Sequence, residues 1–475
     1  MHEYYASPLA ERYASPEMLK IFSNATKFQT WRRLWVALAE SEQELGLMVS
    51  DEQIAELKEN VNDINYELAE TKEKAVKHDV MAHIFAYGEQ CPKARPILHL
   101  GATSSFVVDN TDLMQMKMGL LRIRELMLHT MQALTVFAEQ NKGLPTLAYT
   151  HFQPAQPTTV GKRTALWLWD LVLDFQQLEY QLQNLKLLGC KGTTGTGASF
   201  LTLFHGDHEK VKALEMKIAE KMGFEAVYPV SGQTYSRKID YQVLSVLSGI
   251  AQSAMKFSND IRLLSHLGEV DEPFADQQIG SSAMAYKRNP MRSERMAALA
   301  RYVILDANNP AFTAAQQWLE RTLDDSANKR ISIPEAFLAV DGILALYLNV
   351  IEELKVYPFL MAKHLSEELP FMATEAILML AVERGGDRQV LHEVIRQHAL
   401  AAREQVKQGE ENDLLVRILG DSRFALDEAD IQGLLAAHQY TGRAEEQTEE
   451  FLRDTVRPIL EANPLISEMK ARIEV

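Results

Sequence analysis

Cysteine and glycine are both scarce in this 475-residue sequence. The two cysteines, Cys91 and Cys190, cannot build a disulfide framework or a cysteine-rich metal centre. A reducing, cytoplasmic location is therefore the simplest expectation. Glycine contributes 23 residues, which is below its usual share of about 7%, and long alternating runs of β-branched residues are few. These shortages argue against a β-rich fold and favour a mainly helical protein.

Long apolar runs and an excess of positive charge are also missing. The longest apolar stretch, "AFLAVDGILALYL", is interrupted by Asp341 and Gly342 and falls short of the ~18–20 residues of a membrane helix. The first residues, "MHEYYASPLAERYASPEM", match neither a signal peptide nor a transit peptide. With a net charge of −16, we expect neither a membrane nor a nucleic acid as partner. An anionic small molecule stays possible, because a basic pocket can exist in an acidic protein.

Apolar residues recur every three or four positions over segments much longer than the usual helix of about 11–12 residues. Predicted long helices cover residues 112–140, 158–188 and 236–266, a fourth starts near Pro290, and a fifth covers 333–354. The pattern predicts an all-α fold of three helical domains: residues 1–106, a central long-helix bundle at 107–356, and 357–475. Several separate short helices are the alternative. Bundle faces this wide usually continue into a homo-oligomer.

Four polar segments interrupt the helical pattern. They are "KHDVMAH" (77–83), "HLGATSSFVVDNTD" (99–112), "AYTHFQPAQPTTVGKR" (148–163) and "QIGSSAMAYKRNPMRSER" (278–295). The first is typical of a helix that carries two solvent-facing or capping groups. In the second, small residues and hydroxyls would let the backbone approach an anion, but a turn followed by Asn110 or Thr111 as a helix cap is favoured when the segment is taken alone. In the third, Pro154 and Pro157 force an extended or turning entry into a helix. His151 thus lies on a constrained lead-in, as a catalytic imidazole or a structural one.

The fourth segment combines Gly280, two serines and Lys287 with a proline that starts a helix. So polar a segment after a glycine is a candidate mobile lid. Three further segments are weaker indications of a functional site. "KGTTGTGASF" (191–200) lacks the ending of a phosphate-binding loop, and His205 and His208 lack further zinc ligands. "ERTLDDSANKR" (320–330) is either an exposed loop or part of a phosphate or carboxylate site.

These segments together carry a family resemblance. "GSSAMAYKRNP" is similar to the signature loop of the fumarase/aspartase superfamily, commonly Gly-Ser-Ser-x-Met-Pro-x-Lys-x-Asn-Pro. With "HLGATSS", "THFQPAQPTT", "KGTTGT", "SGQTYSRK" and "RTLDDSANKR", the chain resembles the adenylosuccinate lyases within that superfamily, in the form found in animals. The likeness covers nearly the whole chain. Ala285 replaces the usual proline, and we expect the loop to be more mobile for it.

The resemblance implies a carbon–nitrogen lyase of purine nucleotide biosynthesis. It would release fumarate by β-elimination from N6-succinyl-AMP, giving AMP, and from SAICAR, giving AICAR. It also implies a central bundle that forms the core of a homotetramer, with active sites shared among three chains. No metal and no organic cofactor are expected. The alternatives are another fumarate-releasing lyase of this fold, such as an argininosuccinate lyase, and a non-catalytic helical scaffold.

The resemblance also assigns roles to individual residues. Ser281 would be the general base and His151 the general acid, Lys287 would stabilise negative charge, Glu294 would orient the imidazole, and His78 would be a substrate-binding partner. The substrate-binding set would be Arg12, Tyr13, Lys77, His78, Asp79, Thr103, Ser104, Gln233, Asn289, Arg295, Arg321, Ser326 and Arg330. Because relatives without activity usually lose the histidine or the serine, the presence of both favours an enzyme.

Overall fold

The computed structural model describes residues 4–275 and 277–465. Its α-helices are α1 (Pro16–Ile21), α2 (Asn24–Glu44), α3 (Asp51–Glu59), α4 (Tyr66–Val76), α5 (Asp79–Gln90), α6 (Ser104–Gln140), α7 (Val160–Asn184), α8 (Ala198–Leu203), α9 (His208–Lys221), α10 (Lys238–His266), α11 (Met291–Asp306), α12 (Asn308–Ala315), α13 (Asp325–Glu352), α14 (Pro358–Met372), α15 (Thr374–Glu383), α16 (Arg388–Lys407), α17 (Leu414–Leu419), α18 (Glu428–Gly433), α19 (Ala444–Phe451) and α20 (Arg457–Ala462). Short helical turns occupy Leu9–Tyr13, Arg95–Ile97, Ala437–Tyr440 and Leu452–Val456. The strands are β1 (Pro145–Thr150), β2 (Gln153–Thr159), β3 (Val270–Asp271) and β4 (Lys355–Val356).

The all-α prediction is confirmed, because the strands form only two small antiparallel pairs, β1–β2 and β3–β4, within the described chain. Serine caps begin several helices. The hydroxyls of Ser15, Ser23 and Ser50 each accept a hydrogen bond from the backbone N–H three residues on, which satisfies a donor that the helix leaves unpaired.

The first long helix starts earlier than the sequence predicts. α6 begins at Ser104, and the predicted caps Asn110 and Thr111 lie buried inside it. The Asn110 side chain donates to the carbonyl oxygens of Phe106 at 2.8 Å and Gly189 at 3.1 Å. Its amide is therefore satisfied inside the helix, so the cap prediction at this position was wrong.

The last long helix also starts earlier than predicted. α13 begins at Asp325 and continues through Pro334, although proline lacks the N–H that a helix interior uses. An 18-residue window of α13 has a mean hydropathy of 1.7, enough by length and composition to cross a membrane. That window is 78% buried inside the protein, as a core helix should be.

Three apolar cores hold the described chain together. The largest joins α6, α7, α10, α11 and α13, with residues such as Met116, Leu168 and Leu247 fully buried. A second lies mainly between α2, α5, α9 and the start of α6, and a third lies within residues 373–431. The domain boundaries at 106/107 and 356/357 stay a prediction, since shared cores do not fix where a domain begins.

The long helices run back and forth between two ends of the central bundle. α6 has 37 residues, about 55 Å at 1.5 Å per residue, and the β1–β2 hairpin and α7 follow it. We call the first residues of α6 the Ser104 end and the β1–β2 side the hairpin end. α10 starts at the Ser104 end, where Arg237 binds Asp109, and finishes at the hairpin end, where Glu269 lies 3.5 Å from Thr146.

Candidate active site

His151 lies at the tip of the β1–β2 hairpin. Thr150 pairs with Gln153 across a two-residue turn formed by His151 and Phe152. Both turn residues have positive φ, 53° and 57°, as the tight turns of two-residue hairpins demand. The predicted extended lead-in before α7 is thus present as strand β2, and the imidazole of His151 is exposed in the single chain.

Ser281 lies in a loop whose ends are held together. The Asn289 side chain donates to the Gly280 carbonyl oxygen at 2.6 Å, which places Ser281 beside the start of α11. A Cβ on Gly280 would lie 2.1 Å from the Lys287 carbonyl oxygen, so only glycine fits. The Ser281 Oγ accepts hydrogen bonds from the backbone N–H groups of Ala283 at 3.3 Å and Met284 at 3.1 Å.

The base of this loop is tied by a buried carboxylate. Glu272 accepts hydrogen bonds from the N–H groups of Arg292 at 2.8 Å and Ser293 at 3.0 Å, and from the Ser293 hydroxyl at 3.0 Å. Burial raises the pKa of Glu272 in spite of these donors. Lys287 and Glu294, which the sequence predicts as site residues, are both exposed on either side of this anchor.

At the Ser104 end, a second group of predicted site residues meets. His78 caps α5, with its Nδ1 accepting from the Met81 N–H at 3.3 Å, and Lys77 before it has a left-handed backbone with φ 55°. Asp79 follows and forms an ion pair with Arg330 at 3.2 Å. "KHD" and the start of α13 are therefore neighbours in the folded chain.

Two loops meet at the same end. The Gln233 N–H donates to the Glu320 carbonyl oxygen at 3.0 Å, and a Cβ on Gly232 would lie 2.5 Å from that oxygen. This contact joins "SGQTYSRK" to "ERTLDDSANKR". Arg321 follows and reaches Asp325 Oδ2 at 2.9 Å, so its guanidinium is held at the start of α13.

Buried charges beneath these loops fix their positions. Arg237 is 2% exposed and forms ion pairs with Asp109 at 3.1 Å and Asp325 at 2.6 Å. Lys329 extends the network to Asp112 at 2.6 Å. These residues were not predicted from the sequence. Charged residues at apolar positions of long helices, as Asp109 is in α6, are the signal that would have found them.

Arg12, Tyr13 and Arg295 form a third group. The Arg295 guanidinium lies 5.9 Å from the centre of the Tyr13 ring. Tyr13 in turn contacts Gly342, where an added Cβ would lie 2.8 Å from the Tyr13 carbonyl oxygen. Gly342 is 17 residues into α13 (325 to 342), so this group lies along the flank of the bundle rather than at the Ser104 end.

Comparisons with known proteins identify the family of the chain. A family described as Lyase matches residues 11–305, and one described as Adenylosuccinate lyase C-terminus matches residues 370–451. The adenylosuccinate lyase of Saccharomyces cerevisiae is 48% identical over 464 residues, 97% of this chain and 96% of its own length. That of Schistosoma mansoni is 46% identical over 462 residues, 96% of each. This chain belongs to the adenylosuccinate lyase family.

Solved structures of more distant proteins share the fold. The 3-carboxy-cis,cis-muconate lactonizing enzyme of Pseudomonas putida matches with a TM-score of 0.83 and 23% identity, over 95% of this chain and 99% of that one. A fumarate lyase from Mesorhizobium sp. BNC1 matches with a TM-score of 0.81 and 22% identity, over the same shares. At these identities the likeness is evidence of a common fold alone.

Within this adenylosuccinate lyase family member, the predicted site residues fall into three groups, two of which adjoin each other at Glu294 and Arg295 of α11. The Ser104 end carries Lys77, His78, Asp79, Thr103, Ser104, Gln233, Arg321, Ser326 and Arg330; the hairpin end carries His151, Ser281, Lys287, Asn289 and Glu294; the flank carries Arg12, Tyr13 and Arg295. α6 separates the Ser104 end from His151 by about 55 Å. The chain is a lyase, and the role of each of these residues stays a prediction.

Proposed function

We propose that this lyase releases fumarate from N6-succinyl-AMP and from SAICAR, leaving AMP and AICAR. The base removes a proton from the succinyl carbon next to the carbon that bears nitrogen. The electron pair becomes the double bond of fumarate as the carbon–nitrogen bond breaks. The departing nitrogen takes a proton from the acid, so that both products leave without a cofactor.

The observation that carries the base assignment is the environment of Ser281. Its Oγ accepts two backbone N–H hydrogen bonds, and donors of this kind favour the charged form of a group, here the alkoxide. Lys287 belongs to the same loop and adds positive charge. A lid that closes over substrate would remove water from both, which strengthens their interaction.

His151 is proposed as the acid. An imidazole titrates near neutral pH and can hold the proton that the leaving nitrogen needs. The two-residue turn presents it on a short rigid support rather than on a flexible loop. Glu294, in the first turn of α11, would accept a hydrogen bond from this imidazole when the site is complete.

The substrate's anions would be bound at the remaining positions. A nucleotide substrate carries one phosphate and two carboxylates, which guanidinium groups bind through paired hydrogen bonds. Arg295 and Tyr13 are neighbours on the flank, and Arg321 is oriented by Asp325. These positioned guanidinium groups are suited to bind phosphate and carboxylate groups, although the overall charge of the chain is negative.

We further propose a homotetramer in the cytoplasm, with each site built from several chains. Binding residues at the Ser104 end and an acid and a base at the hairpin end, about 55 Å away along α6, cannot serve one substrate molecule within one chain. Chains packed side by side would bring the Ser104 end of one to the hairpin end of another. Leu166, Trp169 and Leu173 on α7 are exposed in the single chain at helical spacing, an apolar face suited to such packing.

A fumarate-release assay tests the function. Purified protein is mixed in turn with N6-succinyl-AMP, SAICAR and argininosuccinate, and fumarate is measured by its absorbance. We expect release from the first two substrates and none from the third. Release from argininosuccinate alone would assign the chain to the rival lyase, and release from none would support a scaffold.

A further inference from the structure

Glu269 is a fully buried carboxylate at the hairpin end of the bundle, and the sequence predicted no role for it. Its Oε1 lies 2.8 Å from Nδ1 of His364 on α14, and its Oε2 lies 3.5 Å from Oγ1 of Thr146 on β1. A carboxylate accepts hydrogen bonds, so the imidazole and the hydroxyl are the donors. One buried side chain therefore joins the base of the hairpin to α14.

The backbone around Glu269 is itself held by neighbouring elements. Strand β3 follows directly, and its Val270 pairs with Val356 of β4. The Glu269 carbonyl oxygen accepts a hydrogen bond from the Tyr357 N–H at 3.0 Å, and Tyr357 is the residue just before α14. The carboxylate therefore reaches the hairpin from a fixed backbone, to which the start of α14 is also bound.

A cation on α7 holds the next residue of the same strand. The Arg163 Nη2 donates to the Leu147 carbonyl oxygen of β1 at 2.7 Å. Burial lowers the pKa of Arg163, and the negative charge of Glu269 opposes that shift, as expected for opposite charges that lie near each other. Thr146 and Leu147 are thus contacted by a buried anion and a nearby cation that belong to two different parts of the chain.

These contacts lie at the base of the strand that leads to His151. Thr146 precedes His151 by five residues, which is about 16 Å at ~3.3 Å per residue of strand. A tilt of about 4° at the base would therefore move the imidazole by about 1 Å, and a misplacement of that size can lower a reaction rate by about a hundredfold. The position of the imidazole thus depends on how firmly the base of the hairpin is held.

We propose that Glu269 and His364 are positioning residues, which hold the β1–β2 hairpin, and with it His151, against α14. Neither side chain needs to touch the substrate, since both act through the hairpin. The inference rests on the proposed function in one respect, namely that His151 is the general acid. It also gives the helices after residue 357 a part in the reaction, because α14 is the first of them.

The test replaces His364, the more exposed partner of the pair, in the full-length protein. His364→Ala removes the donor, whereas His364→Asn keeps a side-chain N–H that can donate to the carboxylate. His398→Ala is the control, because His398 on α16 also contacts a carboxylate, Asp421 at 3.1 Å, and its side chain is 23% exposed against 22% for His364. Circular dichroism and mass measurements verify that each variant keeps the folded state and the assembly of the parent.

We expect His364→Ala to lower kcat for N6-succinyl-AMP by roughly tenfold to a hundredfold and to leave KM within about threefold of the parent. His364→Asn should recover most of the loss, and His398→Ala should match the parent. In a His151→Ala protein, adding His364→Ala should change the residual rate by less than about twofold, because no imidazole is left to misplace. A residue that only stabilises the fold would lower both rates by the same factor.

Hydrogen exchange tests the same contact without any activity. In His364→Ala, the amides of β1 and β2 should exchange about tenfold faster or more than in the parent. His364→Asn and His398→Ala should leave them unchanged. A parent that releases no fumarate would refute the proposed function, and faster exchange confined to the hairpin of His364→Ala would still support the hold on it.

Two results would overturn the proposal. One is hairpin exchange in His364→Ala at the rate of the parent. The other is an equal loss of rate from His364→Ala in the presence and in the absence of His151, since the pair would then act on the fold and not through the imidazole.

Discussion

A serine hydroxyl is a weak base at neutral pH, so the surroundings of Ser281 decide whether it can take a proton from carbon. Two backbone N–H groups already point at its Oγ, at 3.3 Å and 3.1 Å. Ser282 is exposed beside it and offers the same hydroxyl. Replacing each serine in turn tests which of the two hydroxyl oxygens is the general base.

Ser281→Ala should lower kcat by a factor of roughly 10² to 10⁴, the usual contribution of a general base. Substrate affinity should change little, because the base acts only in the chemical step. Ser282→Ala is the control and should retain most of the activity. Steady-state kinetics and equilibrium binding check both points. More than a few per cent of residual activity in Ser281→Ala would assign the role to another group.

Glu42 is an unusual residue of the second core. It is fully buried, and neither of its carboxyl oxygens has a hydrogen-bond partner among the described residues. Burial raises the pKa of Glu42 from 4.5 to about 8. The folded chain therefore retains this proton over a pH range in which the unfolded chain has released it.

This difference sets the sign of a pH effect. Between about pH 4 and pH 8 the folded state binds more protons, so the free energy of unfolding falls as pH rises. Glu42→Gln removes the titration and should stabilise the protein at pH 8 relative to Glu42 by a few kcal/mol. At pH 5 the gain should be smaller. Urea unfolding at both pH values, at equal protein concentration, measures the difference.

The exposed Glu59 on α3 provides the control for that experiment. Glu59→Gln should have nearly the same effect on the urea midpoint at pH 5 and pH 8. If the gain from Glu42→Gln is likewise independent of pH, Glu42 does not retain a proton in the folded state and the assignment fails.

Individual residues differ in how far the sequence predicts their surroundings. The constrained position of His151 followed from Pro154 and Pro157, because proline acts on its own neighbours. Glu269 and Glu42 gave no such signal. Their environments come from elements distant in sequence, β1 and α14 for Glu269, and only the folded chain brings those elements together.

At the scale of the elements, buried charges join three helices at the Ser104 end. Arg237, just before α10, binds Asp109 of α6 and Asp325 of α13. Asp325 also holds Arg321, so the network supports a predicted substrate-binding residue. Removing one partner leaves the others buried without their counter-charge, which typically costs about 3–5 kcal/mol.

Arg237→Met should therefore lower the free energy of unfolding by about 3–5 kcal/mol and weaken substrate binding. Chemical unfolding and the KM for succinyl-AMP measure the two effects. The exposed neighbour Lys238 gives the control variant Lys238→Met, which should change neither. Adding Asp325→Asn to Arg237→Met should recover part of the lost stability, since one stranded charge is removed. If Arg237→Met changed neither the free energy of unfolding nor the KM, the buried charges would stabilise neither the fold nor the predicted substrate-binding residue.

Helix boundaries show why the elements were predicted only in part. The apolar repeat located the long helices, and the ends of α6 and α10 at Gln140 and His266 match the prediction. The starts of α6 and α13 did not match, because Asn110, Thr111 and Pro334 are residues that commonly end helices. Contacts within the bundle, such as the Asn110 bond to Gly189, override that local preference.

At the scale of the whole molecule, the long helices carry the predicted catalytic and binding residues to opposite ends of the central bundle. His78 lies at the Ser104 end beside Arg330, while the contact of Asn289 with Gly280 holds Ser281 at the hairpin end. The family resemblance led to the prediction of sites shared between chains, and the length of α6 gives a physical reason for it. Side-by-side packing would also cover the exposed apolar face of α7.

Complementation between two inactive variants tests this account most directly. His78→Ala and Ser281→Ala proteins should each be inactive alone, and they are mixed, gently dissociated and reassembled. A site that takes His78 from one chain and Ser281 from another should regain function. Random assortment in a symmetric oligomer predicts fumarate release from succinyl-AMP at about a quarter of the parent rate. If mass measurements verify mixed assemblies and the rate stays at that of the single variants, the sites are not shared between chains.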